Sequence, residues 1–150
     1  MADIKSREDR SYNMSCIKGK DTKPEEYLRK LLFAQGYRYR KNASSLTGHP
    51  DIWMARYRLA IFVNGCFWHR HPGCTYAYTP NSNVEFWNKK FSQNVERDKR
   101  EIHQLLDQNI RCMIVWECTL KKMKRSEELQ TEYLNDIISF IESSEPFKEI

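Results

Sequence analysis

Ten residues near the middle of the chain, GCFWHRHPGC from Gly65 to Cys74, hold two cysteines, two histidines and a Phe-Trp pair. Cys66, His71 and Cys74 stand in a C-x4-H-x2-C spacing, close enough for one loop to wrap a tetrahedral zinc ion. A fourth ligand must come from elsewhere. Cys118 lies just past an apolar run ending at Trp116, where it can face a loop at the end of a neighbouring strand. Cys112 sits inside that run and Cys16 lies in the N-terminal stretch, so both are poorer candidates. A Cys3His site closed in this way is structural.

Closure of the metal site leaves His69 over. Two residues from a ligand, it is held in a fixed place and can act as a general base near neutral pH. His49 and His103 read as ordinary histidines with no task. Asp51 opens a strand after Pro50, and a carboxylate there among basic residues suits magnesium, which prefers oxygen donors. A plain turn aspartate after His-Pro is the competing reading. Asp98 falls on the apolar stripe of a helical pattern that runs Phe91, Val95, Ile102, so it needs a partner, because an unpaired buried carboxylate is costly. That partner is a functional neighbour or a buried salt bridge. Phe67, Trp68 and Trp87 are large rings beside cations, a combination that suits insertion between bases. Trp87 also fits the core stripe, and Phe67 and Trp68 could instead shield the zinc.

The elements that must position these groups follow from the apolar pattern. Thr22 to Glu25 opens a helix, with Thr22 as N-cap, Pro24 in the first turn and Glu25 closing a capping box that explains it fully. Leu28, Leu31, Leu32 and Ala34 give it an apolar face, and Gly36 is a natural stop. Tyr37 to Arg40 alternates ring and cation, as in an edge strand. Asp51 to Met54 and Leu59 to Val63 form a hairpin around Arg56-Tyr57, and the second strand runs straight into the metal loop. A long helix carries Val84, Trp87, Phe91, Val95, Ile102, Leu105 and Leu106. Ile110 to Trp116 is a buried strand, and Ser126 caps a last amphipathic helix. Helix, strands, helix, strand, helix specify an α/β protein with a central mixed sheet flanked by helices.

The chain has 150 residues, enough for one domain with a sizeable core, and residues 1–20 form a polar, basic N-terminal arm. The opening MADIKSREDR lacks the apolar segment of a signal peptide, which points to a cytoplasmic protein. Five cysteines in such a compartment read as ligands or inert thiols before disulfides. The net charge of +5 hides an asymmetry: residues 126–150 carry seven acids and one base, which leaves 24 bases against 13 acids in the rest. A basic body suits a polyanionic partner, with Lys89, Lys90, Arg97, Lys99 and Arg100 available for phosphates.

Six motifs, in order, resemble one known family. They are Lys20 to Glu25, Gly48 to Asp51, Phe62 to His69, Glu85 to Trp87, Asn94 to Asp98, and Val115 to Cys118. Together they resemble the very short patch repair (Vsr) endonucleases, bacterial mismatch nickases with a restriction-endonuclease-like fold. The resemblance implies double-stranded DNA with a T:G mismatch, left by deamination of 5-methylcytosine, as substrate, and a nick 5′ to the thymine. It implies that Asp51 holds magnesium at the scissile phosphate, with the Val63 carbonyl as a further ligand. His69 would be the base toward the attacking water, assisted by Asp98, and Glu25 would orient a metal-bound water. Cys66, His71, Cys74 and Cys118 would be the structural zinc ligands, while Phe67, Trp68 and Trp87 would intercalate beside the mismatch.

One position departs from the family pattern: Asn64 stands where a histidine is expected before Gly-Cys-Phe-Trp-His. Asparagine can hydrogen-bond a phosphate or Asp98 but cannot carry a proton at neutral pH. His69 is then the only base available in that segment. An asymmetric mismatch gives no symmetry reason for a dimer, so a monomer is expected; the resemblance further implies association with the bacterial nucleoid and leaves open whether a repair protein of the MutL type binds this chain as it does the relatives. The rival functions are a zinc-stabilised protein that marks mismatches without cutting and a restriction-type enzyme that cuts matched DNA.

Overall fold

The computed structural model describes residues 21–150; the arm of residues 1–20, with Cys16, lies outside the described residues. Helix α1 (Lys23–Ala34) leads to strands β1 (Arg40–Lys41), β2 (Ile52–Met54) and β3 (Leu59–Asn64). The long helix α2 (Val84–Asp107) precedes β4 (Arg111–Trp116), and α3 (Glu117–Arg125), α4 (Glu127–Ile141) and β5 (Phe147–Glu149) complete the chain. The strands form one five-stranded sheet in the order β1-β2-β3-β4-β5. β1, β2 and β3 pair antiparallel, whereas β4 runs parallel to both β3 and β5. The expected mixed sheet flanked by helices is therefore present.

Side-chain alternation along the strands divides the core in two. Ile52, Met54, Leu59, Ile61, Met113 and Val115 face Leu28 and Leu32 of α1, Leu120 and Met123 of α3, and Ile137 and Phe140 of α4. Ala60 and Cys112 point the other way and meet Leu105 and Ile102 of α2. β4 is buried along five of its six residues because both its faces are covered and both its edges are paired. Parallel strands cannot be joined by a tight turn, so α2 serves as the crossover from β3 to β4.

Several local expectations hold. Gly36 ends α1 at φ +95°, with Gly36 N–H donating to the Phe33 carbonyl and Tyr37 N–H to that of Leu32. This is the paired geometry of a glycine-terminated helix. The β2–β3 hairpin turns through a short 3-10 segment at Ala55–Tyr57. Ser126 caps α4 by accepting from the Leu129 amide at 3.2 Å.

Three expectations need correction. Thr22 sits at the N-cap position of α1 but makes no side-chain cap bond, and Glu25 is buried at 4% exposure, not folded back over the helix start. A buried arginine one turn on, Arg29, gives its carboxylate a partner inside the protein. The edge strand is only Arg40–Lys41, later and shorter than the Tyr37 to Arg40 alternation suggests. Cys118 lies just past β4, as expected, in the nine-residue helix α3, which buries Thr119, Leu120 and Met123. β5 carries no apolar pattern. It exists through main-chain pairing to β4, with Ile150 N–H donating to the Ile114 carbonyl at 2.9 Å.

Leu32 is fully buried where α1 meets the sheet. Leu32→Ala is expected to lower unfolding stability by about 2–5 kcal/mol in urea titration, because the cavity cannot close around a rigid helix–sheet seam.

Candidate active site

The parallel register of β3 and β4 pairs Asn64 with Trp116. Cys66 and Cys118 therefore leave the sheet side by side, each two residues past a paired strand end. The loop after β3 then brings His71 and Cys74 back, so that the ligand atoms of Cys66, His71, Cys74 and Cys118 all lie within 4.8 Å of one another. His71 Nδ1 stands 3.6 Å from Cys66 Sγ and 3.4 Å from Cys118 Sγ. Its ring stacks flat on Trp116, with centroids 4.2 Å apart and an interplanar angle of 9°. Three thiols and an imidazole converging in this way can hold a metal ion, and soft sulfur with nitrogen suits zinc. Burial pushes the free Cys66 thiol up to about 12, so a cation at this point would also stabilise its thiolate. Cys112 is buried in a separate apolar cluster, away from the four.

Two anchors hold the rest of this loop. Arg70 donates to the carbonyls of Phe67, Ala77 and Tyr78 at 3.2, 2.8 and 2.9 Å, with its guanidinium 3.9 Å over the Phe91 ring. Asn94, buried in α2, donates to the Trp68 carbonyl at 3.1 Å. Neither anchor was singled out by the sequence motifs, although both lie within them or beside them. Between these anchors Phe67 packs edge-on against Trp68, Trp87 and Phe91 at centroid distances of 4.9, 5.7 and 5.2 Å. Phe67, Trp68 and Trp87 are half-buried, and the exposed rings of Phe86 and Tyr78 border them. The three expected wedge residues thus form one packed aromatic platform beside the loop.

A cleft of about 580 Å³ opens next to the platform, lined among others by Glu25, Asp51, Asn64, Trp68, His69 and Asp98. His69 Nδ1 lies 2.6 Å from Asp98 Oδ2. A carboxylate on one ring nitrogen fixes that nitrogen as the protonated one and leaves Nε2 as a free base. Asp98 is steadied on its other oxygen by Arg97 at 3.5 Å. The sequence expectation that Asp98 needs a partner on its inward face is met by His69.

Asp51 stands at the mouth of β2 and accepts from the Val63 amide at 2.7 Å. Burial is the main reason its carboxyl is pushed up to about 7; the nearby negative charge of Glu25 adds to this, while the Val63 amide, Arg29 and His69 oppose it. Asn64 is buried at the end of β3, also on the cleft. His49 lines the same cleft, exposed and at φ 48°, so it is not remote from the site. Among the described lining residues Arg97 is the one lysine or arginine, against the acids Glu25, Asp51, Asp98, Glu101 and Glu117. An acidic cleft with a base-ready imidazole can bind a hard cation and activate water.

Residues 2–75 match the family of the DNA mismatch endonuclease Vsr. The DNA mismatch endonuclease Vsr of Escherichia coli is 42% identical over 139 residues, which cover 92% of this chain and 88% of that enzyme. The chain belongs to the Vsr family. The type II nicking enzyme V.NmeAIP of Neisseria meningitidis serogroup A is 39% identical over 137 residues, or 91% of this chain and 97% of that protein. The type II nicking enzyme V.XorIIP of Xanthomonas oryzae is 40% identical over 123 residues, covering 82% and 90% respectively. The Vsr-family chain is accordingly a DNA endonuclease with the restriction-endonuclease-like fold. Among its described residues no helix is long and apolar enough to cross a membrane.

Two measurements test this site in the Vsr-family protein. The four-ligand cluster is expected to carry one zinc per chain by elemental analysis, with Cys118→Ser reducing the content to a small fraction of that. For Asp51, an ordinary carboxyl near 3.8 in the unfolded chain becomes one near 7 in the fold. Between about pH 4 and pH 7 the folded chain holds a proton that the unfolded chain has lost, so this group lowers stability as pH rises. In magnesium-free buffer Asp51→Asn should therefore gain stability over the parent across that window in urea titrations. A difference that stays flat with pH would show Asp51 ionised throughout.

Proposed function

We propose that this protein nicks double-stranded DNA 5′ to the thymine of a T:G mismatch, by magnesium-assisted hydrolysis. The observation that carries this reading is the gathering of two groups in one cleft, the half-buried Asp51 with the buried Glu25 and the His69–Asp98 pair. A cleft rich in acids repels the DNA backbone until a cation intervenes, and its donors are carboxylate oxygens, the type magnesium takes. The donor set therefore fits magnesium, with Asp51 as carboxylate ligand, the Val63 carbonyl as further ligand and Glu25 orienting water. When bound, the ion supplies charge stabilisation at the phosphodiester.

The chain's own residues supply the rest. The Nδ1–H of His69, donated to Asp98, leaves Nε2 to take a proton from the attacking water. Asn64 lines the cleft as a neutral hydrogen-bonding group and cannot share this task. Arg97 offers its cation to a phosphate entering the cleft. The platform of Phe67, Trp68 and Trp87 wedges beside the mismatch, where unstacking is cheaper than at a matched pair. Zinc at Cys66, His71, Cys74 and Cys118 holds the loop that carries two of those rings and the base.

End-labelled duplexes with one T:G pair or a T:A control, incubated with magnesium or with none, test the proposal. A single magnesium-dependent cut 5′ to the mismatched thymine is expected, with rates roughly 10²–10⁴-fold lower in His69→Ala. Trp68→Ala should weaken T:G binding while leaving T:A binding nearly unchanged. Binding of T:G with no cut would favour a mismatch-marking protein, and equal cutting of T:A a restriction-type enzyme.

A further inference from the structure

α1 carries a buried cation that none of the family motifs includes. Arg29 is 2% exposed and lies one turn beyond Glu25. Arginine is rarely buried so completely unless its donors are paired. Here Nη1 donates to Asp21 Oδ1 at 2.8 Å, and Nη2 faces three acceptors. These are the Asp51 main-chain carbonyl at 2.9 Å, Asn42 Oδ1 at 3.2 Å and Glu25 Oε2 at 3.4 Å. Asn42 closes the ring by donating Nδ2 to Asp21 Oδ1 at 3.0 Å.

The closest contact of Nη2 is thus a main-chain carbonyl, not a carboxylate. That carbonyl belongs to Asp51, whose side chain is pinned separately by the Val63 amide at 2.7 Å. Asp51 is held from both its ends, and Glu25 is tied to the same nitrogen that holds its main chain.

We propose that Arg29 is a positioning residue for the cleavage site: by sharing Nη2 between the Asp51 carbonyl and Glu25, it sets where the two carboxylates stand relative to each other. The inference rests on the reading that Asp51 and Glu25 serve a divalent cation. Arginine is suited to this because its planar fork reaches acceptors in different directions at once, Asp21 on one side and Asp51 with Glu25 on the other. Lysine, with one nitrogen, keeps the charge but cannot hold both sides.

The test uses the full zinc-loaded chain with Arg29→Lys and Arg29→Met beside the parent. Manganese binding is followed by the electron paramagnetic resonance of the free ion, with Asp51→Asn marking the binding that belongs to this site. Single-turnover nicking of the T:G duplex is measured against magnesium concentration, and duplex affinity without divalent ions is measured separately. Arg29→Lys is expected to fold, to weaken manganese binding and to raise half-saturating magnesium by roughly 10–100-fold, as loss of a group that orients a ligand does. Duplex affinity should stay within about twofold of the parent, since Arg29 has no access to DNA from inside the fold. Unchanged manganese binding and half-saturating magnesium in Arg29→Lys, with only a lower melting temperature in Arg29→Met, would make Arg29 a structural anchor and overturn the proposal. If the parent itself fails to nick T:G, the functional reading fails, and manganese binding to parent and Arg29→Lys still decides the role of Arg29.

Discussion

Everything at the site depends on the parallel pairing of β3 with β4. Six register pairs run from Leu59 and Arg111 to Asn64 and Trp116, and both strands end together at the same edge of the core. Two cysteines far apart in sequence, Cys66 and Cys118, meet there because each follows its strand end by the same number of residues. A slip of one residue would turn every side chain of β4 to the opposite face of the sheet. It would also put Met113 and Val115 against α2 and remove Trp116 from its stack on His71. The apolar pattern of β4 thus fixes the geometry of a candidate metal site to which β4 itself contributes no side chain.

The second constraint is electrostatic. A protein of net charge +5 builds a cleft whose lining acids outnumber its lysines and arginines five to one. Burial away from water is the main reason the Asp51 carboxyl is raised, and the like charge of Glu25 adds to it. The surrounding fold tolerates the arrangement by supplying fixed donors: the Val63 amide on the Asp51 carboxylate, and Arg29 against its carbonyl and Glu25. Shifted carboxyls of this kind cluster where a charged ligand is to be bound.

Much of this was legible in the sequence, for identifiable reasons. The C-x4-H-x2-C spacing is short and local, so the metal loop could be read directly, and the stripe of α2 showed that Asp98 faced inward. Cys118 could be proposed because an apolar run told where β4 ended, although the helix that carries Cys118 was hidden by its sparse apolar content. Glu25 was misread since a threonine followed three residues later by a glutamate satisfies a local rule completely. Only the long-range approach of Asn42, Asp51 and α1 shows where the carboxylate goes. Arg29 and Asn94 were missed for the same reason: the contacts that place them are long-range, Arg29 on Asn42 and the Asp51 carbonyl and Asn94 on the Trp68 carbonyl.

One feature of the metal loop bears on how discrimination would be exercised. Phe67, Trp68 and His69 are consecutive, and they lie between the ligands Cys66 and His71 on a segment braced by Arg70 and Asn94. Ring and base therefore cannot move independently of each other. On the proposed reading, a duplex that resists unstacking keeps the rings at its surface and, through this short rigid segment, keeps the imidazole away from its phosphate. Selectivity would then be expressed chiefly in turnover, with matched DNA held loosely and harmlessly, so that an abundance of undamaged sequence slows the search without endangering the genome.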